Sequence, residues 1–388
     1  PIKGSINIAE AARAAGIHKL YLPQANAEQA SLIENLEVIG VSSLKQLFLH
    51  LKKEAVLQPH VPVPVVTRSI ETISPILDDI HGQESAKRAL TIATAGRHNI
   101  LLAGPPGAGK TMLAKALLGL LPSLTPSEQI ATTKLHSLAG EVDGEIIVKR
   151  PFRAPHHTAS SIALIGGGNK PKPGEISLAH LGVLFLDELP EYPRSCLEAL
   201  RQPLEDKKIA ISRAGGRITY PADFMLVATM NPCPCGYYGD SSRECSCSSN
   251  QILAYQKRLS GPLLDRIDLI INVSRVPNDT LLDISAQDSK QHLSAMESIE
   301  AARETQSKRY RRSDKYNSSL TSSQVKKLAI DPAAKQLLST ATDRLALSAR
   351  SYFKLVKVAR TIADLANEQV ILPEHMSPPS VRGRLTSA

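Results

Sequence analysis

One stretch of sequence decides the fold: Gly104-Pro105-Pro106-Gly107-Ala108-Gly109-Lys110-Thr111. It satisfies the phosphate-loop pattern G-x-x-x-x-G-K-[ST]. The apolar run from Asn99 to Ala103 predicts a strand before it, and a helical pattern begins at Lys110. In this order of strand, loop and helix, backbone N–H groups and the helix N-terminus face the phosphates of a nucleotide. We therefore predict that these residues bind ATP, with Lys110 on the β- and γ-phosphates and the Thr111 hydroxyl on Mg²⁺.

Two further apolar runs end in polar residues. Val183 to Leu186 leads into Asp187 and Glu188, and Phe224 to Thr229 leads into Met230-Asn231. We expect Asp187 to hold Mg²⁺ and Glu188 to polarise the attacking water. A solvated strand end is the alternative, but buried charge at a sheet end is costly without a metal or a partner. Apolar strands separated by helices predict a parallel sheet covered on both faces, with ligands at the carboxyl ends of its strands.

Composition restricts the class of protein. The chain has 388 residues, and 46 Lys and Arg against 37 Asp and Glu give a net charge of +9, which favours polyanionic partners without proving one. Its apolar runs are far shorter than the roughly 18 residues that a bilayer span requires. It has no signal-peptide pattern, and five cysteines do not make a disulfide scaffold. We expect a cytoplasmic protein without a membrane partner.

The segments on either side of the phosphate-loop region differ in texture. Residues 2 to 51 alternate short helical and extended patterns, the last of them a helix from Ser43 to Leu51 with Ser42 as a candidate N-cap. The proline-rich stretch Gln58 to Pro64 predicts an extended linker. Beyond Pro277 the pattern is helical to about Asn367, which predicts a separate helical lid.

Six motifs closely resemble the magnesium-chelatase-like AAA+ family of the bacterial competence protein ComM. They are the phosphate loop, Arg150 to His157, Lys172 to His180, Phe185 to Pro190, Met230 to Gly236 and Gly261 to Asp268. The resemblance implies an α/β fold, in which a parallel P-loop AAA+ sheet flanked by helices carries a helical lid. It also implies a homo-oligomeric ring ATPase, typically a hexamer, that acts as a DNA branch-migration helicase in natural transformation.

The resemblance also implies domain boundaries. They are 1–55 for part of a Lon-protease-like α/β domain, 56–75 for a linker, 76–276 for the AAA+ domain, 277–375 for the lid and 376–388 for a tail. Family members have a longer N-terminal domain, so Pro1 to Leu51 resembles its second half, and the activity of that domain is in doubt. The family's final helix is broken here by Pro378 and Pro379, so we expect a disordered tail or a cloning or frameshift scar.

Three residues match family positions with roles in hydrolysis. Asn231 resembles the sensor that orients the water, Arg266 the finger that contacts a neighbouring subunit's γ-phosphate, and Arg350 the sensor arginine of the lid. Each has a structural alternative. An Asn after a strand often caps a turn, Arg266 lies beside Asp265 and Asp268 and could pair with them, and Arg350 could be a surface arginine.

Two basic elements are candidates for gripping DNA. The family places a helix-two insertion at about 152–175 and a pre-sensor hairpin at about 209–220, both in the ring channel. Their candidate DNA contacts are Arg153, His156, His157, Arg213 and Arg217. A motor that follows the backbone needs phosphate contacts more than aromatic stacking. The alternative is that these residues form a solvated face.

Four cysteines lie close together in the sequence. They are Cys233, Cys235, Cys245 and Cys247, in the spacing C-x-C-x₉-C-x-C. Four thiols are the number that tetrahedral zinc requires, although the inner spacing of one residue is shorter than usual. The sequence leaves two interpretations open, a zinc site and a group of reduced structural thiols.

The sequence therefore supports three candidate functions. The first is a hexameric ATPase that moves or remodels branched or single-stranded DNA, with ATP and Mg²⁺ as cofactors. The second is a magnesium-chelatase-type ATPase subunit that drives metal insertion into a porphyrin. The third is a regulatory module whose nucleotide only holds the fold. Glu188 argues against the third, because a pure binder needs no acid that activates water.

Overall fold

The N-terminal segment is a small α/β unit. The computed structural model describes residues 1–61, 75–142, 145–168, 172–213, 216–240, 243–276 and 290–376. The first of these ranges contains α1 (Ser5–Ala14), β1 (Lys19–Pro23), α2 (Ala27–Ser31), β2 (Glu37–Val41) and α3 (Leu44–Leu51). Strands β1 and β2 pair in parallel, with Lys19 opposite Glu37. Ile6, Leu22 and Val38 are buried between the strands and the helices.

The N-cap of α3 differs from the prediction. Ser43, not Ser42, caps the helix, because its extended backbone directly precedes Leu44 and its hydroxyl accepts the N–H of Gln46 at 3.2 Å. Ser42 instead donates its own backbone N–H to the Gln46 side chain at 2.8 Å.

The next segment holds the central sheet and its helices. Its elements are α4 (Glu84–Gly96), β3 (Ile100–Ala103), α5 (Lys110–Leu120), α6 (Pro126–Ala139), β4 (Phe152–Arg153), α7 (Ser161–Ile165), β5 (Gly166–Gly167), β6 (Lys172–Pro173), α8 (Glu175–Leu178), β7 (Val183–Leu186), α9 (Arg194–Ala199), α10 (Arg201–Asp206), β8 (Lys208–Arg213), β9 (Gly216–Pro221), β10 (Met225–Met230), α11 (Ser249–Gln256), α12 (Gly261–Leu264) and β11 (Leu269–Asn272). Short 3₁₀ turns lie at Gln24–Asn26, Leu77–Asp79, Leu189–Glu191, Asn317–Ser319 and Pro373–Met376.

Five of these strands form one parallel sheet in the order β11-β3-β10-β7-β4. Every residue of β3, β7 and β10 is buried, as expected for strands covered by helices on both faces. Apolar side chains of α4 and α5, including Leu90, Leu113 and Leu117, cover one face. Tyr192 and Leu197 belong to the apolar cluster that covers the other. The predicted α/β fold with a helix-flanked parallel sheet is confirmed.

The described C-terminal segment is helical, as predicted. It contains α13 (Gln291–Tyr310), α14 (Ser322–Val325), α15 (Pro332–Arg344) and α16 (Ala349–Leu365). Ile299 and Ala302 of α13 and Val358 and Ile362 of α16 belong to the same buried cluster as α4. These helices are therefore fastened to the back of the sheet through a continuous apolar core.

Parts of the predicted organisation lie outside the described residues. This holds for most of the linker (62–74), for the first part of the lid (277–289) and for nearly all of the tail (377–388). The N-terminal unit contacts α6, since Ser137 Oγ accepts the N–H of Gly4 at 2.9 Å and Lys134 Nζ lies 2.6 Å from the Glu10 carboxylate. Among the described helices, none combines the length and the apolar character that crossing a membrane needs.

Candidate nucleotide site

The phosphate loop connects β3 to α5 at the carboxyl edge of the sheet. Gly107 and Gly109 have φ angles of 77° and 83°, in the left-handed region that favours glycine. A Cβ atom added to either residue would meet nothing within 4 Å. Backbone conformation, and not lack of space, therefore selects glycine here. The open side of the loop and the N-terminus of α5 form a cradle that fits a nucleotide's phosphates.

Lys110 is held by oxygen atoms. Its ammonium donates to the carbonyl groups of Gly104 at 2.6 Å and Pro105 at 2.8 Å, and to Asn231 Oδ1 at 3.1 Å. Burial lowers the pKa of Lys110, and the carboxylates of Asp187 and Glu188 oppose that shift. The predicted sensor Asn231 and the phosphate-loop lysine are thus brought together, although 121 positions separate them in the chain.

The two acids after β7 are oriented by a threonine. Thr229 accepts the backbone N–H of Glu188 at 3.0 Å and donates its hydroxyl to Asp187 Oδ1 at 2.5 Å. Asp187 Oδ2 lies 3.5 Å from the Thr111 hydroxyl. A hydroxyl beside a carboxylate is a donor set that suits Mg²⁺. Sequence reasoning missed Thr229, whose signal is a polar residue in an otherwise apolar strand.

Arg266 lies at the other edge of the same sheet. Its carbonyl accepts a hydrogen bond from Asn99 Nδ2 at 2.9 Å, and Asn99 precedes the first residue of β3. The phosphate loop follows the last residue of β3. Four strand residues at about 3.3 Å each separate these positions by about 13 Å. The guanidinium of Arg266 is held by Glu205 and by the Pro262 carbonyl, and its backbone is separated from its own chain's phosphate loop by the length of β3.

One carboxylate holds both predicted arginines. Glu205 of α10 forms an ion pair with Arg266 and lies 3.8 Å from Arg350 Nη2. Lys354 Nζ donates to the carbonyl of Ile267 at 2.6 Å, which fixes the start of α16 at this edge. The local pair of Arg266 with Asp265 or Asp268 is replaced by this longer-range one. Glu205 was missed because 61 positions separate it from Arg266 and no motif marks it.

Two regions of the chain match models of known protein families. Residues 76–281 match the family model described as magnesium chelatase, subunit ChlI, and residues 290–378 match the model of the ChlI C-terminal region. The chain belongs to the ChlI family of magnesium-chelatase AAA+ ATPases. The family identification made from the motifs is therefore confirmed.

Individual relatives of the ChlI-family chain differ in how much of it they match. It is 44% identical over 366 residues to the competence protein ComM of Haemophilus influenzae, covering 92% of the chain and 70% of ComM. It is 40% identical over 381 residues to the uncharacterized protein YifB of Escherichia coli, covering 97% and 72%. The magnesium-chelatase 67 kDa subunit of Chlorobaculum parvum is 29% identical over 157 residues, covering 40% and 23%.

Arg153, a candidate DNA contact, is tied to two carboxylates. It lies on β4, where its guanidinium donates to Glu175 at 2.6 and 2.7 Å and to Glu141 at 3.0 Å. The hydrogen bonds that Arg153 donates to Glu175 raise the pKa of Arg153. His156 and His157 follow in a loop with their ring centroids 4.1 Å apart. These ion pairs hold the Arg153 guanidinium between Glu175 and Glu141 in this ChlI-family domain, and its role as a DNA contact stays a prediction.

The predicted hairpin is present as an antiparallel pair. Strands β8 and β9 run from Lys208 opposite Pro221 to Arg213 opposite Gly216. Arg217 is exposed near the tip, and the side chain of Arg213 is outside the described atoms. A Cβ added to Gly166 would lie 3.1 Å from Ile211 Cδ1. The hairpin therefore packs directly against the region of the helix-two insertion.

The four clustered cysteines converge after β10. We call residues 233–240 and 243–247 the cysteine knuckle. Its four Sγ atoms all lie within 4.8 Å of one another. The fifth cysteine, Cys196, is buried in the core beside Ser161. Neither the ATPase site nor the subunit-facing role expected of Arg266 uses the cysteine knuckle.

Proposed function

We propose that the chain is the ATP-hydrolysing subunit of a homo-hexameric ring that moves branched or single-stranded DNA, as a branch-migration helicase of the ComM type. The observation that carries this proposal is the separation of Arg266 from its own phosphate loop. An arginine finger at one edge of the sheet and a phosphate loop at the other complete each other only between neighbouring subunits. A closed ring satisfies every such pair.

Within one site, the chain's own residues divide the work. ATP is the substrate, and Mg²⁺ would supply positive charge to its phosphates when bound. Lys110 exchanges the carbonyl groups of Gly104 and Pro105 for phosphate oxygens. Thr111 and Asp187 hold the cation. The carboxylate of Glu188 accepts the proton of the attacking water, which Asn231 orients.

Both edge arginines act on the neighbour's nucleotide in this proposal. Negative charge spreads over the γ-phosphate oxygens as the phosphoryl group leaves, and cations that approach from outside stabilise it. Arg266 has a 10% exposed side chain and Arg350 a 42% exposed one, so both are oriented by Glu205 and open to a partner to different degrees. Arg350 thus serves a subunit interface and not the site of its own chain.

A short stretch of chain connects this interface to the hairpin that we propose contacts DNA. Helix α10 carries Glu205, and only Lys207 separates it from strand β8 of the hairpin. Strand β9 ends at Pro221, shortly before β10, whose carboxyl end carries Asn231. A change of contacts at Glu205 or Asn231 therefore shifts the base of the hairpin. Exposed Arg217 near its tip then moves relative to a bound phosphate backbone.

The metal-insertion alternative has weaker support. The magnesium-chelatase 67 kDa subunit matches 40% of the chain, whereas ComM matches 92% of it. A regulatory module that only binds nucleotide has no use for Glu188 as a water-activating acid, or for the hydrogen bond by which Thr229 orients it.

The test is ATPase rate with single-stranded, duplex and four-way-junction DNA. We expect DNA to raise turnover, and Arg217→Ala to weaken DNA affinity and lower its logarithmic salt slope by about one. Basal ATPase activity should be unchanged. Lys208→Ala, at the base of the same hairpin, is the matched control and should keep the slope. Equal rates with and without every DNA would contradict a DNA motor.

A further inference from the structure

The sulfur atoms of the cysteine knuckle have the spacing of ligands around one ion. Cys233 Sγ lies 3.4 Å from Cys235 Sγ and 3.6 Å from Cys245 Sγ, and the last two are 3.5 Å apart. A disulfide would bring two sulfurs to about 2.05 Å. Tetrahedral zinc, with Zn–S bonds of about 2.3 Å, holds its ligand sulfurs about 3.8 Å apart. The three distances fit ligands of one ion and exclude bonded pairs, and Cys247 Sγ lies within 4.8 Å of these sulfurs.

Backbone groups of the knuckle are directed at the same sulfurs. The N–H of Tyr238 donates to Cys233 Sγ at 3.3 Å, that of Cys235 to Cys247 Sγ at 3.4 Å, and that of Cys247 to Cys245 Sγ at 3.4 Å. A neutral thiol is a weak acceptor, whereas a metal-bound thiolate carries the charge that such donors stabilise. This arrangement favours a metal site over a group of reduced thiols.

Regular secondary structure does not hold the shape of the knuckle. Its described residues form neither helix nor strand, and Cys233 is the buried member of the four. A cross-link or a bound metal stabilises a loop of this length by holding distant residues together. A single ion bound by all four sulfurs supplies that link.

The knuckle touches the phosphate loop. Gly236 has a φ of 87°, and a Cβ added there would lie 2.6 Å from Cδ and 2.7 Å from Cγ of Pro106. Arg275 donates to the Pro106 carbonyl at 3.3 Å and lies 3.4 Å from the Asp240 carboxylate. The knuckle therefore contacts the phosphate loop at Pro106.

We propose that the four cysteines of the knuckle bind one structural Zn²⁺, and that the metal-ordered knuckle supports the phosphate loop at Pro106. The support rests on the nucleotide site proposed above, whereas the metal site does not. Zinc here takes no part in hydrolysis. It fixes the loop that follows Asn231 and so keeps the sensor and Pro106 in register.

The metal is tested by analysis of the full chain purified without added zinc. We expect about one zinc per chain after dialysis against a chelator. Cys245→Ser and Cys235→Ser should lose it, and Cys196→Ser, the control with a thiol outside the knuckle, should keep it. A mercurial reagent should release zinc as it titrates the knuckle thiols. A metal-free protein with freely titrating native thiols, or one that contains iron instead, overturns the zinc site.

The support is tested with two glycine variants in the same loop. Gly236→Ala forces a methyl group into Pro106 and should weaken binding of a fluorescent ATP analogue about tenfold or more while zinc stays bound. Gly239→Ala is the control, because its φ of 79° gives similar backbone strain but its Cβ meets nothing within 4 Å. Equal affinities of the two zinc-loaded variants overturn the support. If wild type does not bind the nucleotide analogue, the result contradicts the proposed nucleotide site instead.

Discussion

The two edges of the central sheet differ in how their candidate site residues are brought together. At the carboxyl edge, Lys110 contacts Asn231 and Thr111 contacts Asp187, and all four residues lie on segments that follow the strand ends. At the amino edge, Arg266 and Arg350 come from distant segments and meet at the half-exposed Glu205. The first edge is assembled within one chain. In the function proposed above, a partner's phosphate replaces the carboxylate and completes the second edge.

The largest effect is expected from Arg266→Ala. Its loss should lower turnover by about 10³-fold or more, as for arginine fingers in general, while ATP binding survives. Lys110→Ala should lose binding itself. A mixture of the two variants rebuilds interfaces that take the loop from one subunit and the finger from the other, so partial ATPase activity should return.

Exposed Arg312, which pairs with Asp314 in the C-terminal segment, supplies the control. Arg312→Ala should keep wild-type turnover and should restore nothing when mixed with Lys110→Ala beyond its own activity. Recovery in a preparation that stays monomeric would contradict a shared site. Mixtures that co-assemble without any recovery would mean that the finger is not shared or that every site must be intact.

A second prediction concerns the carboxyl edge alone. Glu188→Gln removes the proton acceptor but keeps the side-chain shape and the N–H that binds Thr229. We expect ATP affinity near that of wild type and turnover lower by about 10²- to 10³-fold. Equilibrium binding of ATP and steady-state phosphate release measure the two quantities. Near-normal turnover would remove Glu188 from the mechanism.

The smallest effect concerns the pH dependence of the amino edge. His180 Nδ1 accepts the N–H of Asp223 at 3.1 Å, and burial lowers the pKa of His180 to about 4 despite the opposing carboxylates of Asp223 and Glu128. Between about pH 6.5 and pH 4, His180 is protonated in the unfolded chain and neutral in the folded chain. The free energy of unfolding should therefore fall by up to about 1.4 kcal/mol per pH unit as pH drops from about 6.5 toward 4.

His180→Asn keeps an acceptor for the Asp223 N–H and should remove this contribution. His18→Asn, at an exposed position, should retain it. Urea unfolding at a series of pH values compares the three proteins. Parallel curves for wild type and His180→Asn would mean that other groups set the acid sensitivity of this edge.

The carboxyl edge was readable from the sequence, and the amino edge was less so. A phosphate loop and acids at strand ends are local patterns, so Lys110, Asp187 and Asn231 could be predicted to lie near one another. Strand order and long-range pairs are set by packing between distant segments, so the partner of Arg266 and the carboxylates on Arg153 could not. The N-cap of α3 was displaced by one residue, because two consecutive serines offer the same local signal.

The contact between Gly166 and Ile211 also bears on how this protein can be altered. The two channel-facing elements proposed here share one apolar cluster, which includes Leu164 and Ile176 from one and Ile209 and Tyr220 from the other. An exchange that grafts only the hairpin from a relative would cut through that cluster and leave mismatched volumes on both sides. The two elements therefore form a single packing unit, and a functional chimera requires that both be transferred together.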